Sequence, residues 1–578
     1  MSLPTFQELK KNLKQDFSTL PVTNIALLAD SATQLLAQSI KGYGYTVNIN
    51  FNLFEADYDQ IERQILDPTS ELYAFKPEYV VIFYCSNKLL KKFGKLALED
   101  KPKFAETHIE KSKHLYTTLT ANLKCKVIYF NFNEIDDNVF GHYGNKTTYS
   151  FNYQLRKINF ELMNLCQQQK NLFLLDLNLL QAQWGQKAVS DNKIYVTTDL
   201  LFSIDFLPRI AKALTDIITA IQGKIKKCLI LDLDNTLWGG IIGDDGVEGI
   251  QIGELGIGKA FTELQLWIKQ LKQRGIILAI CSKNDEAVAK EPFEKHPEMV
   301  LRLEDISVFV ANWNNKADNV QYIQKVLNIG FDSMVFLDDN PFERNMVRTH
   351  VKDITIPELP EDPAEYMNFL RTQNLFETTS FTQEDEQRTL QYQEEAKRAI
   401  AQEQFTNEND FLASLSMVAP IAPFNTFNTP RVAQLTQRSN QFNLRTIRYT
   451  EEDVQRMAND PNYITLTYSL SDKYGDYGLI SVVIMKKIAE HTLFVDTWIM
   501  SCRVLKRNME IFVLNTMVEA AKANGYKTIV GEFIASPKNN MVKNHYSNLG
   551  FTPTKENEYT LSLDGFIPGD CFIQPEKN

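Results

Sequence analysis

Short apolar runs alternate with longer amphipathic stretches over residues 24–220 and again over residues 225–360. Apolar runs of about four to eight residues have the length of a buried strand, and the stretches between them suit helices. Strands that are apolar throughout are covered on both faces, as in a parallel sheet with helices on either side. The pattern therefore predicts an α/β multidomain protein with two doubly wound sheets. The predicted elements of the first segment are the strands Asn24–Ala29, Glu78–Cys85, Lys126–Phe132 and Asn171–Leu177 and a helix near 151–169.

The chain changes character twice beyond residue 360. Residues 384–404, rich in Glu, Gln, Arg and Ala, predict an exposed connecting helix. Beyond residue 420 the strands alternate polar and apolar residues, which indicates an α+β domain. The predicted elements of the second α/β segment are the strands Cys228–Leu233, Ile276–Cys281 and Ser333–Leu337 and the helices Ala260–Arg274 and Lys316–Leu327. We therefore predict domains at 1–222, 223–380 and 421–578, with a helical linker at 381–420.

The overall charge argues against some classes of partner. Lys and Arg number 61 and Asp and Glu 72, so the formal net charge is −11. An acidic chain is a poor ligand for nucleic acid or anionic membranes, and we expect it to bind neither. The seven cysteines include no C-x-x-C pair, which argues against a disulfide framework or a zinc ribbon. Because no signal-peptide pattern and no membrane-length apolar run is present, we expect a cytoplasmic protein.

Two carboxylates, Asp232 and Asp234, stand at the C-terminal end of the first strand of the second segment. Side chains at i and i+2 of an extended chain share a face, so two ionised carboxylates repel unless a proton or a divalent cation relieves them. Asn235 and Thr236 come next and suit a loop that wraps an anion with backbone N–H groups.

Further polar residues stand at the other strand ends of the same segment. Ser282 follows the second strand, Lys316 opens a helix, and Asp338 and Asp339 follow the third strand. In a doubly wound sheet, ligands bind at the carboxyl ends of the strands, so these residues are expected to meet. A bland alternative for 338–340, which precede Pro341, is a helix N-cap.

This ordered set resembles the haloacid dehalogenase superfamily of phosphohydrolases. The resemblance implies that Asp232 is the nucleophile, that Asp234 is the general acid/base, and that Mg²⁺ is the cofactor. It further implies two sets of binding residues, phosphate ligands at Asn235, Ser282 and Lys316 and metal ligands at Asp232, Asp234, Asp338 and Asp339. Only about 17 residues separate Asn235 from Gly253, so we expect no bulky cap domain over the site. An open site suits a macromolecular or carrier-bound substrate.

Longer strings resemble the FkbH-like proteins, which join a capless haloacid dehalogenase domain to a C-terminal GNAT acetyltransferase-like fold. The most specific are LDLDNTLWGGIIGDDG at 231–246, FLDDNPFER at 336–344 and YGDYGLI at 474–480. The resemblance implies transfer of an acyl unit from a phosphorylated small acid, such as 1,3-bisphosphoglycerate, to an acyl carrier protein. It also suggests Cys281 as a thiol relay, since a thiolate attacks acyl phosphates readily. The alternative is a buried structural cysteine.

The flanking domains resemble enzymes whose motifs are incomplete here. Ser31 and Asn87 follow strands of the first domain as in SGNH hydrolases, but no histidine stands at 195–210 to activate the serine. We therefore expect a non-hydrolytic docking or substrate-binding module. In the GNAT-like domain, Lys506 and Asn508 replace the glycines of the coenzyme A loop. The cations of that loop are Arg503, Lys506 and Arg507. They are candidates for binding the phosphate of pantetheine or coenzyme A, and the alternative is that they form a solvated basic turn.

Four functions stay open at this point. The first is a Mg²⁺-dependent phosphatase and glyceryl transferase, and the second is a plain phosphatase acting on a sugar or acyl phosphate. The third is a scaffold that recruits a carrier protein, and the fourth is an acyltransferase that uses the GNAT-like domain. The set at Asp232, Asp234, Ser282, Lys316 and Asp338 argues against the scaffold, and the missing glycines argue against the acyltransferase.

Overall fold

The computed structural model of the protein describes residues 3–576, except for 136, 382–389, 395–397, 399–404, 406, 502, 503 and 506. The chain divides into two compact units, Met1–Thr219 and Ala220–Asn578. Within the described ranges, every helix is too short or too polar to cross a bilayer. Most of the connecting helix predicted at 384–404 lies outside the described residues.

The first unit contains a sheet of five parallel strands among its described residues. The strands are β1 Val22–Ala29, β2 Asn50–Glu55, β3 Tyr79–Phe83, β4 Lys126–Phe130 and β5 Leu172–Leu175, in the order β2-β1-β3-β4-β5. Four of them were predicted, and β2 was not. This edge strand is only partly buried, and its sequence NFNLFE mixes polar with apolar residues, so no apolar run marks it.

Helices connect the strands of the first unit. Its α-helices are Phe6–Asn12, Gln34–Thr46, Ile61–Leu66, Glu71–Phe75, Ser86–Gly94, Phe104–Asn122, Phe151–Gln168, Leu177–Trp184, Gln186–Val189, Asn192–Thr198 and Leu207–Ile221, with 3-10 turns at Leu98–Lys103, Gly141–Lys146 and Ile204–Phe206. The helix predicted near 151–169 is present, and it buries Leu155, Ile158 and Leu162 on the face that packs into the core.

The second unit begins with a sheet of four parallel strands, counted over the described part of the chain. They are β6 Cys228–Leu231, β7 Ile277–Ser282, β8 Val308–Ala311 and β9 Met334–Leu337, in the order β8-β7-β6-β9. Alternate residues of β6 belong to different cores, Leu229 and Leu231 on one face and Cys228 and Ile230 on the other. The sheet is therefore covered on both sides, as the continuous apolar runs predicted.

Six α-helices accompany this sheet within the described ranges: Ile242–Gly249, Gly258–Gln273, Glu286–Lys295, Lys316–Leu327, Pro341–His350 and Tyr366–Gln373. Short 3-10 turns lie at Leu303–Asp305, Phe331–Ser333 and Pro363–Glu365. The helix predicted at Lys316–Leu327 has those bounds, because the Asn315 side chain caps its first turn by accepting from Ala317 N–H.

The rest of the second unit forms a mostly antiparallel sheet of ten strands within the described residues. The strands are β10 Met417–Ala419, β11 Ile421–Ala422, β12 Phe442–Asn443, β13 Tyr463–Asp472, β14 Gly475–Ala489, β15 Thr492–Met500, β16 Thr528–Glu532, β17 Thr552–Lys555, β18 Glu558–Ser562 and β19 Ile573–Pro575. The helices are Glu408–Ser414, Thr429–Arg438, Glu451–Asn459, Met509–Ala523 and His545–Asn548, with a 3-10 turn at Asn540–Val542. The observed architecture is α/β with two parallel sheets, as predicted. The four-part domain division stays a prediction.

Candidate active site

The predicted site residues meet at one edge of the four-stranded sheet. Leu231 of β6 pairs with Ile280 of β7 and with Leu337 of β9, so the three strands end side by side. The backbone N–H of Asp232 donates to the carbonyl of Leu337 at 3.0 Å, which ties the two acidic loops together.

Three carboxylates form a cluster at this edge. One oxygen from each of Asp232, Asp338 and Asp339 lies within 4.8 Å of the others. Asp232 is 6% exposed and Asp338 is fully buried. Burial, followed by the nearby charge of Asp232, raises the pKa of Asp338 to about 7, and the same two causes raise the pKa of Asp339. The cluster therefore favours a bound cation.

Lys316 reaches into this cluster from the start of its helix. Its Nζ donates to Asp338 Oδ2 at 2.6 Å and lies 2.8 Å from Asp232 Oδ2. Burial alone would lower the pKa of this ammonium, but the two carboxylates outweigh burial and raise it. Lys316 therefore stays charged beside Asp232, whose role as the nucleophile stays a prediction.

The carboxylate of Asp234 is held by a separate set of donors. Its Oδ1 accepts from Trp238 Nε1 and from the backbone N–H of Ile242, each at 2.9 Å, and its Oδ2 accepts from Asn284 Nδ2 at 2.8 Å. It is not a member of the acidic cluster. Three donors thus already occupy its oxygens, and the expectation that this side chain ligates the metal stays a prediction. A fixed, half-buried carboxylate instead suits proton transfer.

The remaining candidates line the loops of the same edge. Asn235 is exposed, has a left-handed φ of 54°, and accepts from Gly240 N–H at 3.0 Å through its Oδ1. Ser282 is 1% exposed, and its Oγ accepts from Asn284 Nδ2 at 3.3 Å. The buried hydroxyl of Thr236 accepts from the backbone N–H of Asp339 at 3.1 Å. The phosphate-binding roles of Asn235, Ser282 and Lys316 stay predictions.

Two supporting residues were not identified from the sequence. Asn284 joins Asp234 to Ser282 through the two contacts just described. The buried Arg344 guanidinium donates to the backbone carbonyls of Asp338 and Asp339, at 2.8 and 2.6 Å, and so fixes the acidic loop. Arg344 lies within the quoted string at 336–344 and Asn284 lies two residues after Ser282, but their type alone did not indicate these partners.

Cys281 lies in the hydrophobic core, and its role as a thiol relay stays a prediction. The alternation of β7 puts Ile280 in one core and Cys281 in the other, where it packs with residues such as Val320. Its side chain is fully buried, its Sγ donates to the carbonyl of Lys316 at 3.8 Å, and burial raises the pKa of the thiol. An acyl relay needs an accessible thiolate, so the structural interpretation fits.

Of the three cationic candidates in the C-terminal part, the structure describes only Arg507. Arg503 and Lys506 lie outside the described residues. Arg507 is 6% exposed, its Nη1 lies 3.6 Å from Asp472 Oδ2, and its guanidinium stacks over Tyr477. The side chain of Arg507 is therefore buried against a carboxylate, and its expected phosphate contact stays a prediction.

The environment of Ser31 in the first unit is apolar. Its Oγ is buried, and no hydrogen-bond partner for it lies within the described residues. The small cavity beside it is lined by side chains such as Leu35, Phe83 and Phe202. None of its described lining residues is a base that would activate a serine.

Comparison with known proteins gives two informative matches. The model of the FkbH N-terminal domain family matches residues 24–219. The N-terminal part of the protein BF1531 from Bacteroides fragilis, containing a phosphatase domain complexed with Mg, is 56% identical to this chain. That match covers 66% of this chain and 100% of the other, with a TM-score of 0.64.

Matches to acetyltransferase structures are much weaker. The ribosomal-protein-S18-alanine N-acetyltransferase from Escherichia coli is 14% identical over 25% of this chain and 94% of its own. Its TM-score of 0.20 supports no conclusion about the C-terminal part, so the GNAT-like assignment stays a prediction, as does the SGNH-like one. No curated protein matches the chain.

The family follows from the stronger matches. The Bacteroides fragilis structure is aligned over its whole length at 56% identity, and the matching FkbH domain lies within the first unit. A phosphatase-domain neighbour also fits a haloacid dehalogenase-like second segment. The chain belongs to the FkbH-like family.

Proposed function

We propose that the protein is a Mg²⁺-dependent phosphohydrolase with Asp232 as its nucleophile. One observation carries the proposal: three carboxylates and the Lys316 ammonium converge at the carboxyl edge of a parallel sheet, where such folds bind ligands. The relative crystallised with Mg supports the choice of metal.

The donor set fits a hard divalent cation. Asp232, Asp338 and Asp339 present only oxygen atoms, which suit Mg²⁺ better than Zn²⁺. We propose these three as the ligands and leave the Asp234 side chain out. When bound, Mg²⁺ would neutralise the carboxylates and polarise a phosphoryl oxygen.

The chain's own residues then have separate tasks. An oxygen of Asp232 attacks phosphorus, and the bond from phosphorus to the leaving oxygen breaks, which leaves an aspartyl phosphate. Lys316 and Ser282 hold the oxygens of the phosphoryl group. Asp234 gives its proton to the leaving oxygen and later takes one from the water that hydrolyses the aspartyl phosphate.

The family resemblance extends this proposal to a substrate and an acceptor. The substrate would be a phosphorylated small acid such as 1,3-bisphosphoglycerate, and the acceptor an acyl carrier protein. The chain between β6 and Gly258 forms one short helix, Ile242–Gly249, which leaves the edge of the sheet without a bulky cap. Because Cys281 is buried, we assign it no relay. In this proposal the carrier's own thiolate attacks the C1 carbonyl, the bond from that carbon to the phosphate oxygen breaks and phosphate leaves, whereas Asp232 acts on the phosphate ester at C3.

The test measures phosphate release and intact mass together. The purified chain is incubated with 1,3-bisphosphoglycerate and Mg²⁺, with and without a carrier protein. Without carrier, Asp232→Asn should abolish enzyme-dependent phosphate release, and the exposed Asp244→Asn serves as the matched control. Release at the control rate from folded Asp232→Asn would refute the nucleophile. Phosphate release without a mass increase on the carrier would leave a plain phosphatase.

A further inference from the structure

An ion pair between Lys283 and Glu343 joins two loops at the candidate active site. Lys283 Nζ donates to Glu343 Oε1 at 2.7 Å. Lys283 directly follows β7, and Glu343 lies in the first turn of the helix Pro341–His350, which follows β9. Because β6 lies between β7 and β9 in the sheet, the pair spans the end of the strand that leads to Asp232.

Lys283 stands further out from the sheet than the proposed nucleophile. In the register of β6 and β7, Leu231 pairs with Ile280. Asp232 is therefore level with Cys281, and Lys283 is two residues beyond that level. Two residues of extended chain rise by about 7 Å. A substrate whose phosphoryl group lies at Asp232 can thus extend its other end toward Lys283.

The charge of Glu343 acts within the same site. Burial is the main cause that raises the pKa of the Cys281 thiol, and the charge of Glu343 is a minor cause. The charges of Lys316, Asp232 and Asp338 act on the pKa of the same thiol. Because charges shift a pKa mainly from short range, Glu343 lies near the acidic cluster rather than on a remote face of its helix.

The ion pair presents its positive end to solvent. The Lys283 side chain is 37% exposed, whereas that of Glu343 is 9% exposed. An ammonium has three N–H donors, and Glu343 Oε1 is the only acceptor for them among the described residues. By contrast, Lys316 and Arg344 are buried and bonded at this edge. Lys283 can therefore donate to an anion that arrives from solvent.

We propose that Lys283 binds the second anionic group of the substrate, an inference that rests on the proposed phosphohydrolase. This group is the acid end of a small phosphorylated acid, whose anionic oxygens lie opposite the phosphate that Asp232 attacks. The ammonium forms charge-assisted hydrogen bonds to such oxygens, and Glu343 acts as a positioning residue that holds it in place. The site therefore prefers phosphorylated acids to phosphorylated alcohols of the same length.

The experiment compares two phosphonate probes, whose carbon–phosphorus bond is not hydrolysed. 4-Phosphonobutyrate and butylphosphonate have the same chain length, and only the first carries a carboxylate. Each is titrated calorimetrically into the full chain with Mg²⁺ present, and the ratio of the two Kd values gives the preference for the acid. The wild type should bind 4-phosphonobutyrate about tenfold or more tightly than butylphosphonate, as expected for a charge-assisted hydrogen bond.

Variants of the ion pair separate the charge of Lys283 from its structural contact. Lys283→Met should reduce the preference to less than about twofold, whereas Lys283→Arg and Glu343→Gln, which keep the cation, should retain most of it. The matched control is Lys295→Met, which breaks an exposed ion pair with Glu291 and should retain the preference in full. Thermal unfolding shows whether each variant is folded. The double variant Lys283→Met with Glu343→Gln leaves no unpaired carboxylate at this position and should lose the preference too.

The outcomes distinguish this inference from the proposed function. A wild type that binds neither probe or binds both equally, or a folded Lys283→Met that keeps the preference, would overturn the role of Lys283. An equal loss of preference in Lys295→Met would overturn it as well. Phosphate release from 3-phosphoglycerate, measured on the same wild type, tests the proposed function separately. A preference that depends on Lys283 in a chain that releases no phosphate would support the anion contact and refute the phosphohydrolase alone.

Discussion

The ammonium of Lys316 donates to a carboxylate oxygen of Asp338 at 2.6 Å inside the sheet edge. Because both groups are buried, each one stabilises the charge of the other. Removing one partner of a buried ion pair typically costs about 3–5 kcal/mol. In excess chelator, Lys316→Met should therefore lower the free energy of unfolding by about 3–5 kcal/mol.

Mg²⁺ should recover part of this loss, because a cation bound to the carboxylates replaces the missing charge. Urea unfolding with and without Mg²⁺ should show a larger stabilisation by the metal in Lys316→Met than in the wild type. Equal stabilisation of both proteins would mean that Mg²⁺ does not bind beside Lys316.

The contact from Asn284 to Asp234 should position the general acid/base. Asn284→Ala removes one of three donors, and we expect kcat to fall about 10- to 100-fold with little change in KM. The exposed Asn314→Ala is the control, and an unchanged kcat for Asn284→Ala would exclude the positioning role.

Some site residues can be predicted from the sequence because residues of their chemical type are unusual at the end of a buried strand. Asp232, Asp338 and Lys316 are conspicuous there, because charged groups seldom follow buried strands without a ligand or a partner. Asn284 and Arg344 are not conspicuous, since their roles depend on which loops meet in space. The partners of a neutral amide or a guanidinium cannot be deduced from spacing along the chain.

The sequence also left the environment of Cys281 open and did not reveal two of the strands. The two interpretations of Cys281 differ only in which face of β7 its side chain occupies, and a shift of one residue reverses that face. The edge strands β2 and β8 escaped prediction because one is mixed in polarity and the other has four residues. The longer central elements were predictable because their whole length is apolar.

Cys281 should be dispensable for phosphate release. We expect Cys281→Ala to retain activity within about twofold and to lose about 1 kcal/mol of stability, as for removal of one buried side-chain group. In the native protein the half-buried Cys571 should react with an alkylating reagent before Cys281 does. Peptide mass spectrometry after brief labelling gives the order. If Cys281→Ala kept phosphate release but lost acyl transfer, Cys281 would be supported as the thiol relay.

The buried carboxylate of Asp472 should be a major contributor to the stability of the second unit. Its two oxygens accept from Arg398 Nε and Nη2 at 2.8 and 2.9 Å, and Arg507 lies beside it. Asp472→Asn removes the negative charge that lies between two buried guanidinium groups, at a cost of about 3–5 kcal/mol. Denaturant unfolding measures the loss, with the exposed Asp476→Asn as the control. A loss below 1 kcal/mol would show that this network contributes little.

The last prediction concerns acid unfolding of the second unit and the imidazole of His545. This ring packs between Phe442 and Trp498, with centroids 4.8 and 4.5 Å away, and burial lowers its pKa to about 3. The unfolded chain takes up a proton near pH 6.5, whereas the folded chain does not until about pH 3. The contribution of the neutral ring is therefore complete above pH 6.5 and is lost as the pH falls. The free energy of unfolding then falls with a slope that approaches about 1.4 kcal/mol per pH unit, which amounts to roughly 2–3 kcal/mol between pH 6.5 and 4.5.

His545→Phe should remove this slope, because phenylalanine fills the same aromatic site without titrating. The exposed His350→Phe should keep it. Between pH 7 and 4.5 the free energy of unfolding should fall by the same amount in the wild type and in His350→Phe. It should fall less in His545→Phe, which therefore becomes more stable than the other two in acid. Parallel pH profiles for all three proteins would show that His545 is protonated in the folded state, and that its burial among Phe442, Trp498 and Tyr546 does not hold it neutral.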